Sequence, residues 1–376
     1  MTREQVRILL NQHQRAVNRH DPLDLAALYA EDAVLVSPMF HTVHGRKAIQ
    51  QSFDRLFEIY PDYMISKSDQ LSLYEGDRAA EFSVVSGTQS VEIFGLPPTG
   101  HRIEYQTARL FTLRDGLIAG EQRIYDFGGV LERLEKTRVD RELAMASTVQ
   151  QTLFARTASA GSFFDIVASS LPCRAIGGDF LEYCDLPSGS FGFAIGDVSG
   201  KGPAAALVAA MLQGMFSMVA SEGAGPGDTL VRLNEALCGR GIEPRFATLF
   251  YGVLSADGRL HYSNAGHTSP LVVGPSGVRV LTSGGPILGV FKSAAFPEGS
   301  CQLAPGESVV ACTDGVTEAA SPDDEFFGME RLIAAASAGH ASHPRELVEQ
   351  LLSAVRTFCR TAPTADDATI VVLRYR

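Results

Sequence analysis

Ala175-Ile-Gly-Gly-Asp-Phe180, continued by Ala194-Ile-Gly-Asp-Val-Ser-Gly-Lys-Gly202, sets two aspartates directly against glycines. An apolar run, Phe191 to Ile195, leads into Asp197, and a glycine-rich break then opens an alanine-rich helix at about Pro203. Asp179 follows a glycine pair. Glycine removes side-chain bulk, so an acid beside it at a strand end can approach a metal ion closely. Two such acids on adjacent strands make half of a hard-cation site.

Two further stretches supply the other half. Ser308-Val-Val-Ala-Cys-Thr-Asp-Gly315 is an apolar strand ending in Asp314, and Thr364-Ala-Asp-Asp-Ala-Thr-Ile-Val-Val-Leu373 sets Asp366 and Asp367 before a final strand. Each acid alone reads as an Asp-Gly turn or a helix cap. Four of them at strand ends, each flanked by a turn signal, do not. An oxygen-rich set without paired His or Cys suits Mg2+ or Mn2+ better than zinc.

These phrases occur in order with Phe246-Ala-Thr-Leu-Phe-Tyr251, Asn264-Ala-Gly-His267, Gly284-Gly-Pro-Ile-Leu-Gly289 and Thr313-Asp-Gly-Val-Thr-Glu318. Together they resemble bacterial SpoIIE-type serine phosphatases, a branch of the metal-dependent PPM (protein phosphatase 2C-like) superfamily, over about residues 160–376. The resemblance implies two packed antiparallel sheets flanked by helices, with two divalent cations in the cleft at one end. It puts Asp179, Asp197, Asp314 and Asp366 at the metal carboxylates, with Asp197 bridging, and the Val198 carbonyl in one metal's shell. Glu182 stands where many relatives have Asp, one methylene longer. Asp367 is expected to orient Asp366 or cap the turn. His267 is a candidate proton donor to the leaving group or a structural hydrogen-bonder, and Arg174 a phosphate contact or a surface arginine. Two divalent ions supply what this chemistry needs, neutralising the phosphate dianion and activating a water. The Ser199-Gly-Lys-Gly202 loop lacks the full P-loop pattern, which excludes nucleotide binding on that ground.

The chain has 376 residues, enough for two or three domains, with 45% hydrophobic and 20% charged content. A formal net charge of −11 argues against a general nucleic-acid binder. The six cysteines form no Cys-x-x-Cys pair and read as reduced thiols of a cytoplasmic protein. The N-terminus has no apolar signal core. Pro203–Ala220 is as long as a membrane span and nearly free of charge, but its place inside the motif set makes it a helix packed on a sheet.

Residues 1–130 read as an α+β domain: an amphipathic helix over Glu4–Asn18 with Val6, Leu9, Leu10, His13 and Val17 on one face, two more helices, then an antiparallel meander over Tyr63–Phe127. Asp21-Pro-Leu-Asp-Leu-Ala-Ala-Leu-Tyr-Ala-Glu-Asp-Ala33, Val43-His-Gly-Arg-Lys-Ala-Ile49 and Phe111-Thr-Leu-Arg-Asp-Gly-Leu-Ile118 resemble SnoaL-like (NTF2-like) domains, which implies a cone around an apolar pocket. His41, His44, Tyr105 and Asp126 are its candidate pocket groups, and sensing or dimerisation its expected role.

Gly128-Gly129 reads as a boundary, and residues 131–160 as a linker: a helix to about Phe154 and a flexible joint over Thr157–Ser162. Val139, Leu143, Ala146, Gln150 and Leu153 repeat as in a short coiled coil. The expectation is a regulated, homodimeric serine/threonine phosphatase over 161–376, acting on a phosphorylated STAS-type anti-sigma-factor antagonist. Two alternatives stay open: a pseudophosphatase scaffold, which need not bind two ions, and an enzyme activity in the front domain itself.

Overall fold

The structure, a computed structural model, describes residues 1–153, 158–171, 173–239, 246–362 and 365–376, with the backbone alone for 67–72. It falls into two compact units, Met1–Glu142 and Leu143–Arg376. The class is α+β throughout.

The first unit runs α1 (Arg3–Asn18), α2 (Pro22–Ala27), β1 (Tyr29–Ser37), β2 (His41–His44), α3 (Arg46–Ile59), β3 (Met64–Glu75), β4 (Arg78–Thr88), β5 (Arg102–Arg114) and β6 (Leu117–Ile124). Helix α4 (Phe127–Leu153) follows and crosses the division between the units. The sheet order is β2-β1-β6-β5-β4-β3. Strands β3 to β6 form the expected meander. Strand β1 pairs with β6 in parallel, which the meander reading did not contain; the long crossover between them, including α3, makes that pairing possible.

Thr2 caps α1 reciprocally with Gln5, and the apolar face of α1 (Val6, Leu9, Leu10, Val17) shares a core with Ile49, Phe53 and Leu56 of α3. Charge is buried in the same core. Glu121 accepts from Arg123 Nε at 2.7 Å and from the Tyr29 hydroxyl, whose oxygen lies 2.9 Å from His13 Nε2. Arg109 donates to Glu81 at 2.9 Å. Burial pushes Glu121 up, but Arg123, His13 and Arg109 outweigh it and hold the acid down at about 2. Burial pushes His13 down to about 3, against the pull of Glu121. Both folded values lie below the ordinary ones, so the unfolded chain takes up protons first as pH falls. The stability these groups give is complete above about pH 6.5 and is lost progressively toward about pH 2. Amide protection in α1 and β6, corrected for intrinsic exchange, is therefore expected to fall between pH 7 and pH 4; constant protection would contradict the network.

The candidate pocket groups of this unit do not converge. His41 and His44 lie on exposed β2, and Tyr105 stacks on Tyr125 with ring centroids 4.8 Å apart. Asp126 caps α4, accepting from Gly129 N at 2.9 Å. That cap places Gly128-Gly129 in the first turn of α4.

The second unit contains β7 (Ala158–Ala160), β8 (Phe164–Leu171), β9 (Phe180–Asp185), β10 (Phe191–Val198), α5 (Pro203–Ser221), α6 (Pro226–Gly239), β11 (Ala247–Leu254) and β12 (Arg259–Ala265). It continues with β13 (Leu271–Gly274), β14 (Gly277–Val280), β15 (Gly284–Gly285), β16 (Gly299–Gln302), β17 (Ser308–Cys312), α7 (Asp314–Thr317), α8 (Gly328–Ala338), α9 (Pro344–Cys359) and β18 (Ala368–Tyr375). One sheet runs β15-β12-β11-β10-β9 with β16 beside β12; the other runs β14-β13-β17-β18-β8-β7.

Phe191, Phe193 and Ile195 of β10 pack between the sheets with Phe164, Phe250, Val309 and Val371. Ala194 and Val198, on the opposite face of β10, pack under α5 and α6, while α8 and α9 cover the outside of the second sheet. Both faces of β10 are buried, which is why its sequence is an unbroken apolar run. Helix α5 is long and apolar enough to cross a membrane by length and composition, yet Val208, Leu212, Phe216 and Ala220 pack into this core. Residues 158–160, expected in a flexible joint, instead form edge strand β7 on β8, because their small side chains leave an extended backbone free to pair. Phe154, Thr157 and Thr364 lie outside the described residues.

Candidate active site

Asp179 lies one residue before β9, Asp197 near the end of β10, Asp314 just after β17 and Asp366 two residues before β18. The two sheets thus bring residues nearly 190 positions apart to one end of the sandwich. Asp179 is 5% exposed and its Oδ2 accepts from the Thr313 hydroxyl at 2.9 Å and the Thr369 hydroxyl at 2.5 Å. Burial, and then the Asp197 charge, hold Asp179 well above the ordinary carboxylate range. Burial, then Asp314 and Asp366, hold Asp197 up as well. Asp314 is raised by burial and by Asp366. Asp366 pairs with Lys201 Nζ at 2.9 Å, and Lys201 also donates to the Ala365 carbonyl.

Among the described residues, no three His, Cys, Asp or Glu side chains already surround one point as ligands. Asp197 instead raises Asp179, the charges of Asp314 and Asp366 raise Asp197, and Asp366 is paired with Lys201. Hard oxygen donors crowded until burial and mutual repulsion raise their pKa values fit a divalent cation, whose charge reverses that balance. The Val198 carbonyl approaches the same place: a Cβ built on Gly178 would lie 2.6 Å from it and 3.0 Å from Asp197 Oδ1.

Asp367 holds the loop before Asp179, accepting from Cys173 N at 2.8 Å and Gly178 N at 3.0 Å. A Cβ on Gly177 would sit 1.8 Å from Asp367 Oδ2, and one on Gly315 2.0 Å from the Asp367 carbonyl, so both positions require glycine. Glu182 faces α5 and accepts from Gln213 at 2.9 Å. His267 is buried against the Thr248 hydroxyl at 2.8 Å, and burial pushes it down to about 4, so that it is a neutral imidazole rather than an imidazolium near pH 7. Arg174 is exposed beside the Gly202 turn. Sequence reasoning passed over Lys201, Thr313, Thr369 and Gln213. The threonines adjoin the acid phrases, so their position was a usable signal; Lys201 was weighed only as part of a nucleotide loop.

A helix-covered sandwich with clustered acids at one end defines a class, the protein phosphatases of PP2C fold. The SiaA-PP2C domain of Pseudomonas aeruginosa superposes with TM-score 0.57 at 17% identity, covering 64% of this chain and 99% of that one. The RsbU and RsbW domains of Rv1364c from Mycobacterium tuberculosis give 0.50 at 25% identity, covering 57% and 60%. The family profile described as Stage II sporulation protein E (SpoIIE) matches residues 187–376, and a SnoaL-like domain profile matches 10–121. The chain belongs to the SpoIIE family and carries a SnoaL-like domain in front. Asp179 precedes the matched span. Protein IcfG of Synechocystis sp. (strain ATCC 27184 / PCC 6803 / Kazusa) is 32% identical over 192 residues, 43% of this chain but 30% of its own length. Phosphoserine phosphatase RsbU of Bacillus subtilis (strain 168) is 23% identical over 341 residues, 88% of this chain and 98% of its own.

Proposed function

We propose that this chain is a divalent-metal-dependent phosphatase that hydrolyses phosphoserine or phosphothreonine on a STAS-type anti-sigma-factor antagonist. The observation that carries the reading is the gathering of Asp179, Asp197, Asp314 and Asp366 at one end of the sandwich, with raised proton affinity in the first three. In this reading Asp179, Asp197, Asp314, Asp366 and the Val198 carbonyl would hold two divalent ions, Mn2+ or Mg2+. When bound, the ions supply neutralisation of the phosphate dianion and activation of a water nucleophile. The protein's own groups do the rest. Thr313 and Thr369 fix one oxygen of Asp179, Asp367 fixes the loop before it, and Lys201 balances Asp366.

The domain division carried forward is 1–130 as sensor or dimerisation domain, 131–160 as linker and 161–376 as phosphatase, working as a cytoplasmic homodimer in which the front domain tunes turnover. The exposed Met145, Val149 and Leu153 on α4 support a partner helix, and six free thiols support a reducing compartment. Phosphate release from phosphorylated STAS-type antagonists by the full chain is expected to need Mn2+ or Mg2+, stop with a chelator and resume when metal returns. Absence of release from every phosphoserine or phosphothreonine protein offered, with metal present, would overturn the reading.

A further inference from the structure

Helix α4 reaches the loop that carries Asp179 through one side chain. Gln150 donates from Nε2 to the Gly177 carbonyl at 2.8 Å and accepts at Oε1 from Gly177 N at 3.1 Å. A carboxamide can satisfy both ends of a peptide at once; a carboxylate only accepts and an ammonium only donates. Gly177 offers no other handle, because any side chain there would strike Asp367. On the far side of Asp179, buried Gln213 donates to the Leu181 carbonyl at 3.0 Å, to Glu182 at 2.9 Å and to the Leu153 carbonyl of α4 at 3.2 Å. Two glutamines therefore bracket Asp179, and both are tied to the last turn of α4.

We infer that Gln150 is a positioning residue for the metal carboxylates: it fixes the Gly177 peptide, and through it the backbone of Asp179, to the position of α4. This rests on the phosphatase reading for its consequence, though not for its geometry. In it, Gln150 is withdrawn from the coiled-coil seam, and a shift of α4 along its axis moves the peptide two residues before Asp179. Hydrogen bonds that orient a metal ligand from behind typically change metal affinity about 10–100-fold.

The test uses the full chain with Gln150→Met, which keeps side-chain length and packing but removes both bonds, and Gln150→Glu, which keeps only the acceptor. In the metal-free protein, amide exchange over 173–180 is expected to rise about tenfold or more, with the rest of the second unit unchanged. Calorimetry with Mn2+ should show affinity weakened about 10–100-fold. Turnover at saturating Mn2+, and KM for a phosphopeptide, should stay within about twofold of the parent, since the chemistry and the substrate contacts are intact. Unchanged exchange and unchanged Mn2+ affinity would overturn the proposal. So would protection lost evenly across the unit, which would make Gln150 an ordinary stabilising residue. The exchange arm needs neither metal nor phosphoprotein. A parent chain that releases no phosphate would therefore sink the phosphatase reading and leave the exchange result standing on its own.

Discussion

Asp197→Asn is expected to lower metal-dependent phosphate release by about three orders of magnitude or more, while the metal-free protein melts no lower than the parent. The rate follows, on the proposed function, from the several kcal/mol of charge stabilisation that a metal-holding carboxylate would supply, at about 1.4 kcal/mol per tenfold. The stability follows from the opposite sign of the same residue in the metal-free state. There Asp197 is a half-buried acid whose proton affinity is raised by burial and by the charges of Asp314 and Asp366. Asparagine keeps the shape yet removes one charge from the crowd. Activity and melting temperature measured on one preparation distinguish this from a structural role. A carboxylate that held the fold together would lower both, and full activity in the variant would remove Asp197 from the site.

Glu121→Ala is expected to destabilise the first unit by about 3–5 kcal/mol, the usual cost of leaving one partner of a buried ion pair alone. The Glu121 side chain is fully buried and Arg123 is 10% exposed. Alanine leaves that guanidinium and the Tyr29 hydroxyl without their acceptor. The double replacement Glu121→Leu with Arg123→Met should recover part of the loss, because it removes both charges and fills the space. Exchange of β6 and α1 amides reads this unit separately from the other. A single variant that exchanges like the parent would mean that water reaches the network.

The sandwich was legible because its strands are apolar runs ending in acids and glycines, and a strand end is where a side chain can reach a cleft. Each acid was visible separately. What joins them was not, since the bonds from Thr313 and Thr369 to Asp179 span 134 and 190 positions. Gln150 was read as a seam residue because its partner is a peptide group, and every residue has one. In the first unit the face of α1 was legible, His13 included. Glu121 was not. Its register with β5 shifts between Thr112 and Leu113, so the alternation that buries Ile118 breaks at Ala119 and turns Glu121 inward, leaving Ile124 exposed. Periodicity alone predicts the reverse.

Strand β18 lies between β17 and β8, at the centre of its sheet, and the Asp367 carboxylate that grips the loop before Asp179 immediately precedes it. During translation, then, the earlier acids are synthesised long before the segment that arranges them. A nascent chain stalled between β10 and Asp367 would hold Asp179 and Asp197 but neither the central strand nor the clamp. Pairing across so large a sequence separation is slow. Competence would arrive only once β18 has paired, and a chain interrupted before that strand would expose the edges of β17 and β8 as an open, aggregation-prone sheet rather than yield a weakened enzyme.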